Sequence, residues 1–161
     1  MILNEQIYRI KTLMYEQLQN QVVLEGNIND PYGQKIQLLT PDNQIIGYTN
    51  IVSMGNAHKI DYDIFRLYNE PKWCIKNCKN DFFNDDNTTY LYDLFINENF
   101  RGQGFGDQIV NYAQNLIKYS GFFYNTLITD RTNVPAQNLY KKLGYDLHIT
   151  DNKKDFYFVK L

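Results

Sequence analysis

The sequence is poor in the residues that build disulfide frameworks and metal sites. Its 161 residues include only two cysteines and two histidines. The cysteines, Cys74 and Cys78, have no further ligand at the spacing of a zinc site. We therefore expect two free thiols and no bound metal.

The chain also lacks an excess of basic charge and any long apolar run. Sixteen basic and 18 acidic residues give a formal net charge of -2, which does not favour nucleic acid or an anionic membrane as a partner. No apolar segment is long enough to span a bilayer, and the first residues lack the apolar centre and cleavage site of a signal peptide. These absences predict a cytoplasmic chain.

What is present indicates one globular α/β (α+β) domain over residues 1–161 with a mixed sheet. Hydrophobic residues make up 43% of the chain and charged residues 21%. Residues 55–88 hold no clear period and are interpreted as an insertion. Strands are predicted at 21–26, in a hairpin over 35–54, and at 89–96, 122–129, 145–149 and 155–161; helices are predicted from Asn4, from about Ile109 to Ser120, and from Asn133 to Leu143.

A glycine-rich segment, NFRGQGFGDQIVNYA at 99–113, joins a strand to a helix. Free backbone N–H groups at a helix start bind phosphate oxygens, and glycines let the phosphate approach. The spacing of Gly102, Gly104 and Gly106 matches neither a P-loop nor a dinucleotide fingerprint, which disfavours a nucleotide-binding module. It does match Arg-x-x-Gly-x-Gly, beginning at Arg101.

A second segment, TNVPAQNLYKKLGY at 132–145, places two polar side chains on one side of a helix. Asn133 and Tyr140 are seven residues apart, close to two helical turns, and the small Ala136 lies between them. Something can therefore lie against this face. By itself the pattern is more typical of a core tyrosine.

Together the two segments resemble the GNAT family of N-acetyltransferases. The first is similar to that family's acetyl-CoA motif, and the second to its Asn-x-x-Ala-x-x-x-Tyr…Leu-Gly-Phe/Tyr segment. The resemblance covers roughly residues 88–161. It implies a mostly antiparallel central sheet flanked by helices, with acetyl-CoA as co-substrate. It also implies transfer of an acetyl group to a primary amine of a protein or small molecule, by direct attack in a ternary complex.

The resemblance also implies roles for individual residues. Main-chain N–H groups of Leu94, Phe95 and Ile96 would hold the acetyl carbonyl. Tyr140 would donate a proton to the leaving thiolate. The diphosphate would lie on the glycine segment and the pantetheine against the second helix, through Arg101, Gly102, Gln103, Gly104, Phe105, Gly106, Asp107, Asn133 and Ala136.

The general base is not defined by the resemblance. Many relatives carry a glutamate on the strand before or after the glycine motif, and the corresponding stretches here offer only Asp93 and Asp130. Asp93 fits a proton acceptor or an attractor of a cationic amine, and it fits equally well a structural hydrogen-bond acceptor. His148 is a lesser candidate.

Three departures from the family pattern bear on function. Asp107 places a carboxylate where phosphate is expected. A helix precedes the first strand, and residues 55–88 interrupt the acceptor side, so no acceptor can be borrowed from a relative. A CoA-binding or assembly protein without turnover remains the alternative, and the sequence leaves open a homodimer.

Overall fold

The computed structural model describes residues 4–10, 20–61, 63–64, 85–150 and 152–161. Residues 4–10 are helical, as the sequence predicts from Asn4. Cys74, Cys78 and most of the predicted insertion lie outside the described residues. The remaining elements are β1 (Gln21–Gly26), β2 (Gln34–Leu39), β3 (Ile45–Ser53), α1 (Met54–Ile60), β4 (Thr88–Ile96), a 3-10 turn (Glu98–Phe100), α2 (Phe105–Tyr119), β5 (Tyr124–Asp130), α3 (Val134–Lys142), β6 (Asp146–Thr150) and β7 (Lys154–Lys160).

One seven-stranded sheet organises these elements, in the order β1-β2-β3-β4-β5-β7-β6. Every neighbouring pair is antiparallel except β4 and β5, which are parallel. The predicted mixed, mostly antiparallel sheet is therefore confirmed. The last two predicted strands are also confirmed; they form an antiparallel hairpin, with β7 placed between β5 and β6.

Each face of the sheet has its own hydrophobic core. Helices α2 and α3 cover one face, where Ala113 and Leu116 of α2 and Tyr140 of α3 join a buried cluster with Tyr157. Helix α1 covers the opposite face in a smaller cluster of Val52, Met54, Ala57, Ile64, Tyr90 and Phe156. The two faces thus separate the glycine segment and α3 from α1.

The ends of the two long helical patterns also agree with prediction. Helix α2 begins after Gly104 and is followed by Ser120 and Gly121. Helix α3 is capped by Asn133, whose side-chain oxygen accepts a hydrogen bond from the Ala136 amide at 3.2 Å. Among the described helices, none is long and apolar enough to cross a membrane.

A bulge in β4 shapes the middle of the sheet. Tyr48 of β3 pairs with Phe95, but Asn50 pairs with Tyr92, so β4 carries one extra residue between these pairs. Asp93 lies at this bulge with a positive φ of 54°.

The parallel pairing between β4 and β5 is short. It joins only Thr88–Tyr90 to Tyr124–Thr126. Beyond Tyr90 the two strands separate within the described residues, which leaves one main-chain edge of β4 unpaired. A cleft opens where the strands diverge.

Candidate active site

The loop before α2 needs glycine for its backbone conformation. Gly102 and Gly104 have φ values of +71° and +82°, where an L-residue is strained by about 1–2 kcal/mol. A Cβ added at either position would meet nothing within 4 Å, so the surrounding space is open. The two glycines therefore hold a left-handed turn whose outer side is accessible to a ligand.

Gly106 has a different role, since it lies inside α2. A Cβ at this position would lie 3.4 Å from Leu139 Cδ2, in contact with α3. The neighbouring Phe105 packs edge-to-face against Phe100, with ring centroids 6.0 Å apart. These contacts fix the start of α2 against α3 and the preceding turn.

Backbone N–H groups at this helix start have no acceptor in the described part of the chain. Gly104 is the N-cap, and no side chain caps the helix. The Gln108 amide donates to the Gly104 carbonyl at 3.2 Å, whereas the amides from Gly102 to Asp107 find no acceptor among the described residues. These amides, at the positive end of a 15-residue helix, form a favourable anion site.

Arg101 and Gln103 tie the loop to its own neighbours. Arg101 Nε donates to the Ile96 carbonyl at 3.0 Å, and Gln103 Nε2 donates to the Asn99 carbonyl at 3.3 Å. Both side chains thus hold the turn in place at the end of β4.

The negative charge of Asp107 is balanced by a lysine. Its carboxylate forms an ion pair with Lys142 of α3. The expected conflict between Asp107 and a bound phosphate is therefore offset by a cation that lies beside the same helix start.

The cleft between β4 and β5 has a volume of about 270 Å³. It brings together five predicted site residues, Asp93, Leu94, Asn133, Ala136 and Tyr140. Its lining is Leu91, Tyr92, Asp93, Leu94, Ile128, Thr129, Asp130, Asn133, Ala136, Tyr140 and Lys154.

Tyr140 combines a buried ring with a hydroxyl at the cleft. Its side chain is 7% exposed, and its ring packs against Tyr145 and Tyr157 with centroids 5.8 and 6.4 Å away. Burial raises the pKa of Tyr140 to about 12. The hydroxyl has no hydrogen-bond partner among the described residues, so at neutral pH it is a protonated and unengaged donor.

Two carboxylates lie at the rim of the cleft, and only one of them has an ion-pair partner among the described residues. Asp130 is paired with Lys154, at 2.6 Å. Asp93 is exposed and accepts no hydrogen bond from the described part of the chain. Burial, and then the Asp93 charge, raises the pKa of Tyr92. Asp93 is thus the carboxylate that is left available for a substrate.

His148 is wrongly placed for a base. It is buried in β6, with its ring 5.9 Å from Phe156 and 5.2 Å from Phe158. Phe156 belongs to the α1 side of the sheet, opposite Tyr140. Side chains alternate between the two faces along β6, and His148 falls on the α1 face. It therefore does not reach the cleft.

The side chains of Phe95 and Ile96 also lie outside the cleft lining. The Phe95 ring stacks on Tyr48, with centroids 5.2 Å apart, and Ile96 packs under α2. The main-chain groups of Ile96 face the unpaired edge of β4, whereas those of Phe95 face β3, on the same edge as the Asn97 amide that donates to Ile46.

Two lysines were missed by the sequence analysis, Lys142 beside the free amides and Lys154 in the cleft. Both are partners of carboxylates in distant elements. The only signal for Lys142 was a basic residue in the last turn of α3, which is common at helix C-termini.

Comparisons with known proteins agree with the fold. The family model described as "Acetyltransferase (GNAT) family" matches residues 5–145. A search of curated proteins found no match.

Three solved structures illustrate the likeness. An IAA acetyltransferase from Bacillus cereus ATCC 14579 is 14% identical with a TM-score of 0.58, over 88% of this chain and 100% of that one. A candidate streptothricin acetyltransferase from Bacillus anthracis str. Ames, in complex with acetyl coenzyme A, is 18% identical with a TM-score of 0.57, over 83% and 66%. The PaiA N-acetyltransferase from Thermoplasma acidophilum, in complex with coenzyme A, is 13% identical with a TM-score of 0.55, over 94% and 67%.

At these identities the solved structures show a shared fold, and the chain spans about two thirds of the length of the latter two. The family match covers most of the sequence, including both motifs and every residue that lines the cleft except Lys154. The chain belongs to the GNAT family of acetyltransferases.

Proposed function

We propose that this chain transfers an acetyl group from acetyl-CoA to a primary amine, by direct attack within a ternary complex. One observation carries the proposal: a loop of free amides leads into α2 beside a cleft that contains an unengaged tyrosine hydroxyl and an available carboxylate. Acetyl-CoA has a diphosphate, an amide-rich arm and a thioester, and each part has a matching feature here. Two structural neighbours were solved with coenzyme A or acetyl coenzyme A.

The diphosphate matches the amides from Gly102 to Asp107, which have no acceptor of their own among the described residues. The pantetheine arm carries amide groups that suit the unpaired edge of β4, as an added strand would. Asn133 lies on the opposite wall of the cleft, where its side-chain NH₂ can meet the same arm. These features fit acetyl-CoA without a metal.

The chemistry needs three things of the protein. The amine must attack in its neutral form, the carbonyl oxygen must be stabilised as it gains charge, and the thiolate must be protonated. Acetyl-CoA supplies an activated acetyl group and a leaving thiolate. A C–N bond forms, the C–S bond breaks, and one proton leaves the amine while one reaches sulfur.

We assign these tasks to three groups around the cleft. Main-chain N–H groups on the free edge of β4, those of Leu94 and Ile96, stabilise the carbonyl oxygen, because successive N–H groups of a strand point to opposite edges. Asp93 accepts the amine proton, directly or through water, and attracts a cationic amine. Tyr140 donates a hydrogen bond to the departing sulfur, because burial keeps its phenol protonated, and the thiolate takes up its proton from solvent.

The charges around the cleft favour a cationic acceptor over an anionic one. Asp93 and Asp130 border the cleft, and the charges of Asp61 and Asp63 reach Lys154, whose pKa is raised first by its hydrogen bond to Asp130. One lysine therefore faces several carboxylates. A primary amine, cationic at neutral pH, is drawn to such a rim before it loses its proton to Asp93.

The test is an amine-dependent release of free thiol. The purified chain is incubated with acetyl-CoA and a panel of small amines and lysine peptides, with an amine-free reaction as the control. Saturable thiol release with at least one amine is expected. CoA binding with no acetylated product from any amine would contradict turnover and favour a CoA-binding protein without catalysis.

A further inference from the structure

Lys142 stands beside the phosphate-binding amides although it is 35 residues distant in sequence from Asp107. It is the last residue of α3, and its ammonium group pairs with the Asp107 carboxylate in the first turn of α2. The Asp107 amide itself belongs to the set of amides without an acceptor. The ammonium group is therefore bound to the last residue of the segment on which the diphosphate is expected to lie.

An ammonium group can serve two acceptors at once. It carries three N–H donors, and the Asp107 carboxylate uses one of them. The Lys142 side chain is 70% exposed, so its other donors face solvent. Without this lysine, Asp107 would present an uncompensated negative charge to the phosphate.

We propose that Lys142 is a direct ligand of the CoA diphosphate and that Asp107 positions it. This inference rests on the proposed use of acetyl-CoA. It adds a binding residue that the sequence analysis did not predict as a contact of the cofactor. The Asp107 carboxylate, which the sequence analysis considered unfavourable for phosphate binding, then positions a cation that favours phosphate binding.

Titration calorimetry with CoA tests the proposal at low ionic strength. Loss of one charge-assisted hydrogen bond predicts about a tenfold higher Kd for Lys142→Ala, equivalent to about 1.4 kcal/mol. Lys142→Arg should stay within about threefold of the parent, because the charge is kept. Lys141→Ala is the matched control: the residue is exposed in the same helical turn, has no ion pair among the described residues and should bind like the parent.

A second background separates direct contact from charge neutralisation. In Asp107→Asn, there is no carboxylate to neutralise, yet a lysine that touches phosphate still contributes. We therefore expect Lys142→Ala to weaken CoA binding several-fold in this background too. Thermal melting should change little in all variants, because exposed ion pairs contribute little to stability.

The outcomes are distinguishable. If the parent binds CoA and Lys142→Ala binds equally well, the inference is wrong and the proposed co-substrate stands. If Asp107→Asn binds CoA at least as tightly as the parent and Lys142→Ala has no effect in that background, Lys142 merely neutralises the carboxylate, which also overturns direct contact. If the parent does not bind CoA, the co-substrate and this inference fall together.

Discussion

Replacing Tyr140 by phenylalanine removes one oxygen from the cleft and little else. The ring would keep its contacts with Tyr145 and Tyr157. Because the hydroxyl has no hydrogen-bond partner among the described residues, no bond of the usual ~1 kcal/mol is lost. We expect the free energy of unfolding to change by less than about 1 kcal/mol, so that the variant reports on chemistry.

The size of the rate effect follows from the pKa of Tyr140. Burial raises it to about 12, whereas an ordinary thiol has a pKa of ~8.5. Because the phenol is the weaker acid, complete transfer of its proton to a free thiolate would be uphill. Tyr140 acts chiefly as a hydrogen-bond donor while the C–S bond is breaking, which places its effect near the lower end of the usual 10²–10⁴-fold range.

The assay compares thiol release by the parent and Tyr140→Phe with the best amine from the panel. We expect kcat to fall about 100-fold while the Kd for CoA stays within about twofold. Tyr112→Phe is the matched control, since Tyr112 is a buried tyrosine of α2, away from the cleft, whose hydroxyl lacks a partner in the described part of the chain. It should keep the parental rate and an equal or higher melting temperature. Parental turnover by Tyr140→Phe would refute its role as donor.

Three further outcomes are expected. Gly104→Glu should abolish CoA binding measured by calorimetry, because the new carboxylate occupies the anion site. Gly121→Glu is the control: Gly121 has φ +90° and equal open space at the other end of α2, so this variant bears similar backbone strain and should bind CoA normally. Asp93→Asn, tolerated at positive φ, should lower kcat/KM for a cationic amine at least about tenfold, and an unchanged value would make Asp93 structural. Stability followed by denaturant titration should fall as pH rises from about 10 through 12, because burial holds the Tyr140 proton that the unfolded chain releases; burial raises the pKa of Tyr145 in the same direction, and a flat profile would contradict both.

Local features of this protein could be predicted because local residues decide them. The spacing of Gly102, Gly104 and Gly106 predicted the strand-to-helix turn, and the structure places left-handed conformations at the first two. Asn133 predicted its own cap on α3. In each case, the interaction spans a few residues and follows from backbone geometry.

Features that depend on distant partners could not be predicted. The bulge that exposes Asp93 is set by the register between β3 and β4, through the pairs of Tyr48 and Asn50. The Asp107–Lys142 ion pair depends on how α2 and α3 pack. The face occupied by His148 depends on the placement of β6 at the sheet edge. No spacing within the sequence encodes these relations directly.

The central claim is that the backbone amides of residues 102–107 hold the diphosphate of acetyl-CoA. Two-dimensional ¹H–¹⁵N spectra recorded during a CoA titration observe those amides one by one. The account predicts that resonances from Gly102 to Asp107 shift together and saturate with the calorimetric Kd. Saturable CoA binding that leaves these resonances unmoved, or no binding at all, would contradict it.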